Sequence, residues 1–209
     1  MEKLKSSLTN MAVVLTVIAV VAGAVLALIN AVTAPQIEKI NAENLAAGIK
    51  TVMGREDISV AQPDTLTSEA GGKKQKVFIV YAISDAAGQA IGQAVLSREN
   101  GFNGELQVLI GFDNEGTILG YNIQKTSETP GLGAKAAAWF QPENGEKRSV
   151  VGKNPGRCNF TVSKDGGDID AITASTITSR AFLLAIKNAY DKVYAKADAP
   201  TVATPKNNK

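Results

Sequence analysis

The chain reads as an α+β protein, with one N-terminal transmembrane helix followed by an antiparallel-sheet domain with flanking helices. Three observations predict this. No charged residue occurs in residues 6–37, and residues 11–32 are almost wholly apolar. Between residues 77 and 124, β-rich apolar runs alternate with short turn-forming segments, the pattern of hairpin-linked strands. Near the C-terminus Phe182, Ile186, Ala189 or Tyr190, and Val193 have the spacing of one buried helix face.

The apolar segment comes first. About 20 such residues cross a bilayer core as a helix, whereas the apolar region of a cleaved signal peptide runs to roughly 7–15. Ala31-Val32-Thr33-Ala34 keeps a cleavage site open as the alternative. Lys3 and Lys5 precede the span, so the positive-inside rule puts residues 1–10 in the cytoplasm. Everything after Pro35 then lies outside the cytoplasmic membrane, with lipid as a partner of residues 11–32.

Pro35 suits the first turn of a new helix. Ile37, Ile40, Leu45, Ile49 and Val52 fall near helical spacing, which predicts a stalk helix over 35–53. Residues 54–76 are polar, contain Pro63, Gly71 and Gly72, and read as a connector. The domain proper is expected over 77–197. Strands are predicted at 77–83, 89–96, 106–112 and 117–124, with Asp113-Asn114-Glu115-Gly116 as a strong turn. Residues 125–135 leave the sheet as a loop, because Pro130, Gly131 and Gly133 forbid a regular helix or central strand. Residues 136–140 allow a turn or two of helix, 143–156 read as polar and exposed, and 159–163 as a short strand. Residues 198–209 lack apolar periodicity, contain Pro200 and Pro205, and read as a disordered tail.

Composition narrows the chemistry. The formal net charge is +2, and no basic stripe with interleaved aromatics appears, so nucleic acid is not an expected partner. There is no histidine, which removes the commonest general base and the usual zinc and haem ligand. Cys158 is the single cysteine; it cannot form an internal disulfide or hold an iron–sulfur cluster. No paired-carboxylate motif supports ordinary hydrolysis. Any redox chemistry here needs a borrowed organic cofactor.

Two stretches can carry such chemistry. Asp170-Ala171-Ile172-Thr173-Ala174-Ser175-Thr176-Ile177-Thr178-Ser179 puts a run of hydroxyls at the start of the C-terminal helix. Unpaired N–H groups and the dipole there favour an anion such as phosphate. The same residue types are also ordinary N-caps, and capping alone explains many such clusters. The second stretch is Ser127-Glu128-Thr129-Pro130-Gly131-Leu132-Gly133-Ala134-Lys135. Its glycines nearly match a dinucleotide fingerprint, but the sustained helix and parallel strand which that fingerprint requires are missing. A tight surface turn is the plain alternative.

Asp-x-x-Thr-Ala-Ser-Thr resembles the flavinylation motif of the FMN-binding domain family, usually Asp-x-x-Ser/Thr-Gly-Ala-Thr. The Glu-Thr-Pro-Gly-Leu-Gly segment is similar to that of the RnfG (RsxG) electron-transport subunits and the related NqrC subunits. The resemblance covers nearly the whole chain. It implies FMN held covalently through a phosphoester to Thr176, with Asp170, Thr173, Ala174 and Ser175 as the rest of the motif. Ala174 departs from the usual Gly and Ser175 from the usual Ala; both are small enough for a phosphate to approach.

In the second segment the resemblance implies a backbone wall at Gly131 and Gly133 for a flat ring. Leu132 supplies an apolar contact, Lys135 a balancing charge, and Glu128 and Thr129 polar contacts. A His often found two residues before the Glu is Thr126 here, so no role for it carries over. The implied function is an electron relay in an Rnf-type complex that links ferredoxin and NAD to ion transport. Its partners are the other members of that complex and, during maturation, a flavin transferase. The C subunit of a sodium-translocating NADH:quinone reductase shares both motifs and is the near alternative. A membrane-anchored binding or assembly module without redox work is the distant one.

Overall fold

The computed structural model describes residues 8–68, 76–145 and 147–194. Lys3, Lys5 and the expected tail at 198–209 lie outside the described residues. The chain forms two compact units, Met1–Leu45 and Ala46–Lys209.

One helix, α1 (Leu8–Met53), covers both the expected span and the expected stalk, with Pro35 inside it. Pro35 removes one backbone hydrogen bond. Ala34 and the run Gln36, Ile37, Glu38 and Lys39 contain no turn former, so helix propagation outweighs the missing bond. α1 is long and apolar enough to cross a membrane, with a window of mean hydropathy 3.0 that has none of its residues buried within the chain. The stripe predicted over 37–52 is not one buried face. Ile37 and Ile40 are exposed, while Ile49, Val52 and Met53 are buried.

The second unit is built on an antiparallel sheet of order β1-β3-β4-β5-β6, with β2 also on β3. The strands are β1 (Ile58–Val60), β2 (Asp64–Ser68), β3 (Lys76–Asp85), β4 (Ala90–Asn100), β5 (Glu105–Asp113) and β6 (Ile118–Lys125). β1 and β2 fall in the segment expected to be a connector, so that expectation is corrected. Ile58 pairs with Asp85, and Leu66 with Phe78, so the two share one edge of β3. Thr65, Leu66 and Thr67 suit a strand, and Pro63 is tolerated between short edge strands.

Two hairpins have the same chemistry. Asp85 Oδ1 accepts the N–H groups of Ala87 and Gln89, both at 2.9 Å. Asp113 Oδ1 accepts those of Glu115 at 2.9 Å and Thr117 at 2.8 Å. Gly88 and Gly116 supply the left-handed residue in each turn, at φ 81° and 82°. An Asp that bonds forward and a Gly at positive φ are the local signals that set these reversals.

The sheet buries both faces. On one, Val95, Val108, Ile110, Phe112 and Tyr121 pack in a core with Phe182, Leu183, Ile186 and Ala189 of the C-terminal helix α3 (Thr176–Val193). Each fully buried large side chain contributes roughly 1.5–3 kcal/mol before entropy is counted. On the other, the strand residues Tyr81, Ile83, Ala94, Leu96 and Leu109 are buried. There the last turns of α1 approach by backbone. A Cβ on Gly111 would lie 2.5 Å from the Val52 carbonyl oxygen, and one on Gly120 2.9 Å from it.

After β6 come a 3₁₀ turn (Gly133–Lys135) and the short helix α2 (Ala136–Trp139). Phe140 stacks on Phe182 with centroids 4.5 Å apart, and Tyr121 meets the same ring edge-on at 4.8 Å. Phe182 thereby fixes the N-terminal half of α3 against α2 and β6. Two expectations fail in this region. The segment 143–156 is not simply exposed: Ser149, Val150 and Asn154 are buried. It closes the start of β6, with Ile118 N–H on Lys153 O at 3.0 Å and Asn154 Nδ2 on Glu115 O at 2.8 Å. Residues 159–163 form no strand ladder, only a bridge from Val162 to Ile169 and then a 3₁₀ turn (Ser163–Asp165). Asn159 is diverted: its N–H donates to the Asp168 carboxylate and its amide to Gly166 O, each at 2.9 Å. Local bonds of this kind compete with pairing.

Candidate functional site

The hydroxyl run does not behave as a simple cap. Ser175 holds the N-cap position at φ −135° and ψ 42° without a side-chain capping bond. Ser179 N–H donates to Ser175 O at 3.0 Å, so the N–H groups of Thr176, Ile177 and Thr178 precede the intrahelical ladder. The hydroxyls then divide. Ser179 Oγ is fully buried, accepts Ile172 N–H at 3.0 Å and donates to Ser175 O at 2.9 Å. Thr178 Oγ1 donates to Glu128 Oε2 at 2.8 Å. Thr176 Oγ1 faces Lys164 Nζ at 3.5 Å. Thr173 is exposed.

Asp170 anchors the start of the motif. Its Oδ1 accepts the Ser163 hydroxyl at 2.6 Å, its carbonyl accepts Trp139 Nε1 at 3.0 Å, and its N–H donates to Lys147 O at 2.7 Å. Arg148 covers the same indole ring at 4.3 Å. Ala174 is at φ 62°, the one non-glycine at positive φ among the described residues. An L-residue in that conformation costs roughly 1–2 kcal/mol. This explains why glycine is the usual residue of the resembling motif at this position: the chain must turn left-handed just before α3.

Glu128 joins three segments. Its carboxylate is buried, with Oε1 accepting Phe102 N–H at 2.7 Å and Asn103 N–H at 3.3 Å, and Oε2 accepting Thr178. The loop after β4, the loop after β6 and the N-terminus of α3 therefore meet on one side chain. Gly101 and Gly133 are the glycines that allow it. A Cβ on Gly101 would overlap Glu128 Oε1, and one on Gly133 would lie 2.5 Å from Glu128 Oε2 and 2.7 Å from Thr178 Oγ1. Thr129 O accepts the N–H groups of Leu132 at 3.1 Å and Ala134 at 3.3 Å, which closes the turn.

These segments enclose a cavity of about 310 Å³, lined by Glu128, Thr129, Leu132 and Gly133 on one side and by Ala174, Ser175, Thr176, Ile177 and Thr178 on the other, with Phe102 at its rim. Its volume is at the lower end of the range for small-molecule sites. Thr176 and the α3 N-terminus form a polar end. Phe102, Leu132 and Ile177 are substantially exposed apolar side chains, and together they make the lining amphipathic.

Of the residues singled out from the sequence, Asp170, Thr173, Gly131 and Lys135 do not line this cavity. Gly131 turns the loop at φ 79°, and Lys135 is exposed in the 3₁₀ turn. Sequence reading gave no role to Phe102, Ile177 or Lys164; it included Thr178 in the hydroxyl run but not its bond to Glu128. Phe102 had a faint signal, an apolar residue in a Gly101–Gly104 turn with no strand to join. Lys164 had one too, a cation in the acidic, glycine-bearing loop just before the motif. Asp165 in that loop is held below the usual carboxylate range by Arg180, whose Nε and Nη2 each bond it at 2.7 Å.

Comparison with known proteins bears on this site. The description of a family called FMN-binding domain matches residues 101–191, which includes both segments. The G subunit of the Na⁺-translocating ferredoxin:NAD⁺ oxidoreductase complex of Acetobacterium woodii is 34% identical over 82% of this chain and 84% of that protein. The G subunit of the ion-translocating oxidoreductase complex of Vibrio cholerae is 32% identical over 86% of this chain and 87% of that one. A crystal structure of the C subunit of the Na⁺-translocating NADH-quinone reductase of Parabacteroides distasonis covers 73% of this chain and 91% of its own, at 22% identity and a TM-score of 0.44. With more than 30% identity to the first two sustained over most of both chains, the protein belongs to the family of G subunits of ion-translocating oxidoreductase complexes.

Proposed function

We propose that the chain is a flavoprotein relay of a membrane-bound ion-translocating oxidoreductase complex of the ferredoxin/NAD type, carrying FMN in phosphoester linkage to Thr176 on the extracytoplasmic side. The observation that carries this reading is the shared cavity. Thr176 and the Glu128–Gly133 loop, remote in sequence, line one space. The relatives' names support the complex, with its other members as partners.

The residues fit the cofactor's chemistry. Thr176 sits at the N-terminus of an 18-residue helix, where unpaired N–H groups and the dipole favour a phosphate. Leu132, Ile177 and Phe102 offer apolar surface to a flat ring. Gly133 leaves room where any side chain would collide with Glu128. Bound FMN supplies reversible electron uptake and release. The protein's part is to hold it, orient it and limit its exposure to water.

Thr176 serves as a tether. Attachment uses flavin adenine dinucleotide and a separate flavin transferase. The Thr176 oxygen forms the new P–O bond to the FMN phosphorus, the pyrophosphate bond to AMP breaks, AMP leaves and the hydroxyl proton is released. Such a tether keeps the flavin in a compartment that holds little of it free. Lys3 and Lys5 support the outward placement, and residues 11–32 support an anchor in the cytoplasmic membrane.

Co-expression with a flavin transferase tests the tether. The wild-type chain is expected to show flavin fluorescence on a denaturing gel and the mass of one added FMN group. Thr176→Val is expected to lose both, while Thr173→Val and Thr178→Val keep a reduced label. Equal labelling of Thr176→Val and wild type refutes the reading.

A further inference from the structure

We propose that Lys164 is the cation that receives the phosphoryl group at Thr176, a proposal that rests on the flavin reading of that residue. Its Nζ lies 3.5 Å from Thr176 Oγ1. A lysine ammonium has three donors, and the hydroxyl takes one.

The backbone under Lys164 is pinned on both sides. Lys164 is the middle residue of the 3₁₀ turn Ser163–Asp165. Ser163 donates its hydroxyl to Asp170, the first residue of the motif, at 2.6 Å. Asp165 takes both 2.7 Å bonds from Arg180, one turn into α3. Gly166, at φ 82°, then turns the chain away. The turn is thus tied to the motif before Thr176 and to the helix after it, and the residue between the two ties reaches Thr176.

Charge makes this lysine matter. Asp165, Asp168 and Asp170 all belong to the same loop and motif, against Lys164 and Arg180. Each carboxylate has a partner: Asp165 has Arg180, Asp168 has Asn159 N–H, and Asp170 has Ser163. An anion brought to Thr176 adds negative charge beside a loop whose Arg180 is already engaged by Asp165. Lys164 offsets that charge at the oxygen where the new bond forms. Lys135, the cation favoured by sequence, is exposed in the other loop and does not line the cavity.

The test uses the full chain in detergent, flavin adenine dinucleotide and purified flavin transferase at a limiting amount. Lys164→Met is expected to label roughly tenfold more slowly at low salt, the size of one charge-assisted hydrogen bond, and the deficit should shrink as salt screens the site. Lys164→Arg should restore most of the rate, and thermal unfolding of the unlabelled variants should not move. In labelled protein the ³¹P resonance of the phosphodiester should shift in Lys164→Met and not in Lys135→Met. If wild type is labelled and Lys164→Met matches it in rate and ³¹P position, the proposal is overturned. Lys164→Arg as slow as Lys164→Met overturns it also. An unlabelled wild-type chain removes the Thr176 reading itself, and that result is distinct from both.

Discussion

Gly133→Ala tests the junction that holds the candidate site together. A Cβ there would lie 2.5 Å from Glu128 Oε2, 2.7 Å from Thr178 Oγ1 and 2.9 Å from Glu128 Cβ. The first two atoms are bonded to each other at 2.8 Å and are buried, so they cannot both retreat and stay paired. Losing that bond costs about 1.5–3 kcal/mol, because one partner is a carboxylate. Residual crowding against Glu128 Cβ adds roughly 1 kcal/mol. Gly133 is not at positive φ, so Ala recovers about 0.4–1 kcal/mol through the unfolded chain. The net expectation is a loss of about 1.5–3.5 kcal/mol. Gly131→Ala is the comparison: φ is 79° and open space surrounds the added Cβ, so backbone strain of roughly 1–2 kcal/mol less the same recovery of about 0.4–1 kcal/mol leaves a loss of about 0–1.5 kcal/mol. Because Gly133→Ala already breaks the Thr178 bond, Gly133→Ala with Thr178→Ala should cost less than the sum of the two singles. Urea unfolding of the detergent-solubilised chain, read by fluorescence of the single tryptophan, Trp139, measures all four; that indole bonds Asp170 at the start of the motif. If Gly133→Ala costs no more than Gly131→Ala, or the double variant is additive, the three-way junction at Glu128 is wrong.

Ala174→Gly is expected to stabilise the chain. Release from φ 62° returns about 1–2 kcal/mol and glycine's extra unfolded freedom removes about 0.5–1 kcal/mol, leaving a gain of up to about 1.5 kcal/mol in the same urea assay; a loss would show that Ala174 is unstrained. Membrane orientation is checked in spheroplasts. Added protease should digest the domain that contains Thr176, and sequencing of the mature chain should find residues 11–32 retained; a protected domain or a chain starting near Pro35 contradicts the proposed topology.

Much of the fold was legible because its signals are local. The apolar run of α1, the Asp-led turns at Asp85 and Asp113, and the stripe of Phe182, Ile186 and Ala189 each declare themselves within one turn or one hairpin. Helix and strand periods arise from the chain's own geometry, so neighbouring residues suffice to reveal them. Pro35 misled for the same reason: a local signal for the start of a second helix was outweighed by the helix on both sides. β1 and β2 were missed because their local signal is short, three residues at Thr65–Thr67 beside Pro63; the open edge of β3 makes them strands.

The site divides along the same line. Sequence by itself determined the hydroxyl-rich motif ending at Thr176, the Glu128–Gly133 segment, and the lack of histidine that turns attention to an organic cofactor. Tertiary structure alone decided how the members are arranged. It placed Phe102 beside Glu128 across 26 residues and Thr178 beside Glu128 across 50, and it chose Lys164 over Lys135 as the cation at Thr176. A side chain's charge is written in the sequence. Its place is not, because that depends on which distant backbones are clamped together. Here one buried carboxylate and one Asp165–Arg180 pair do the clamping.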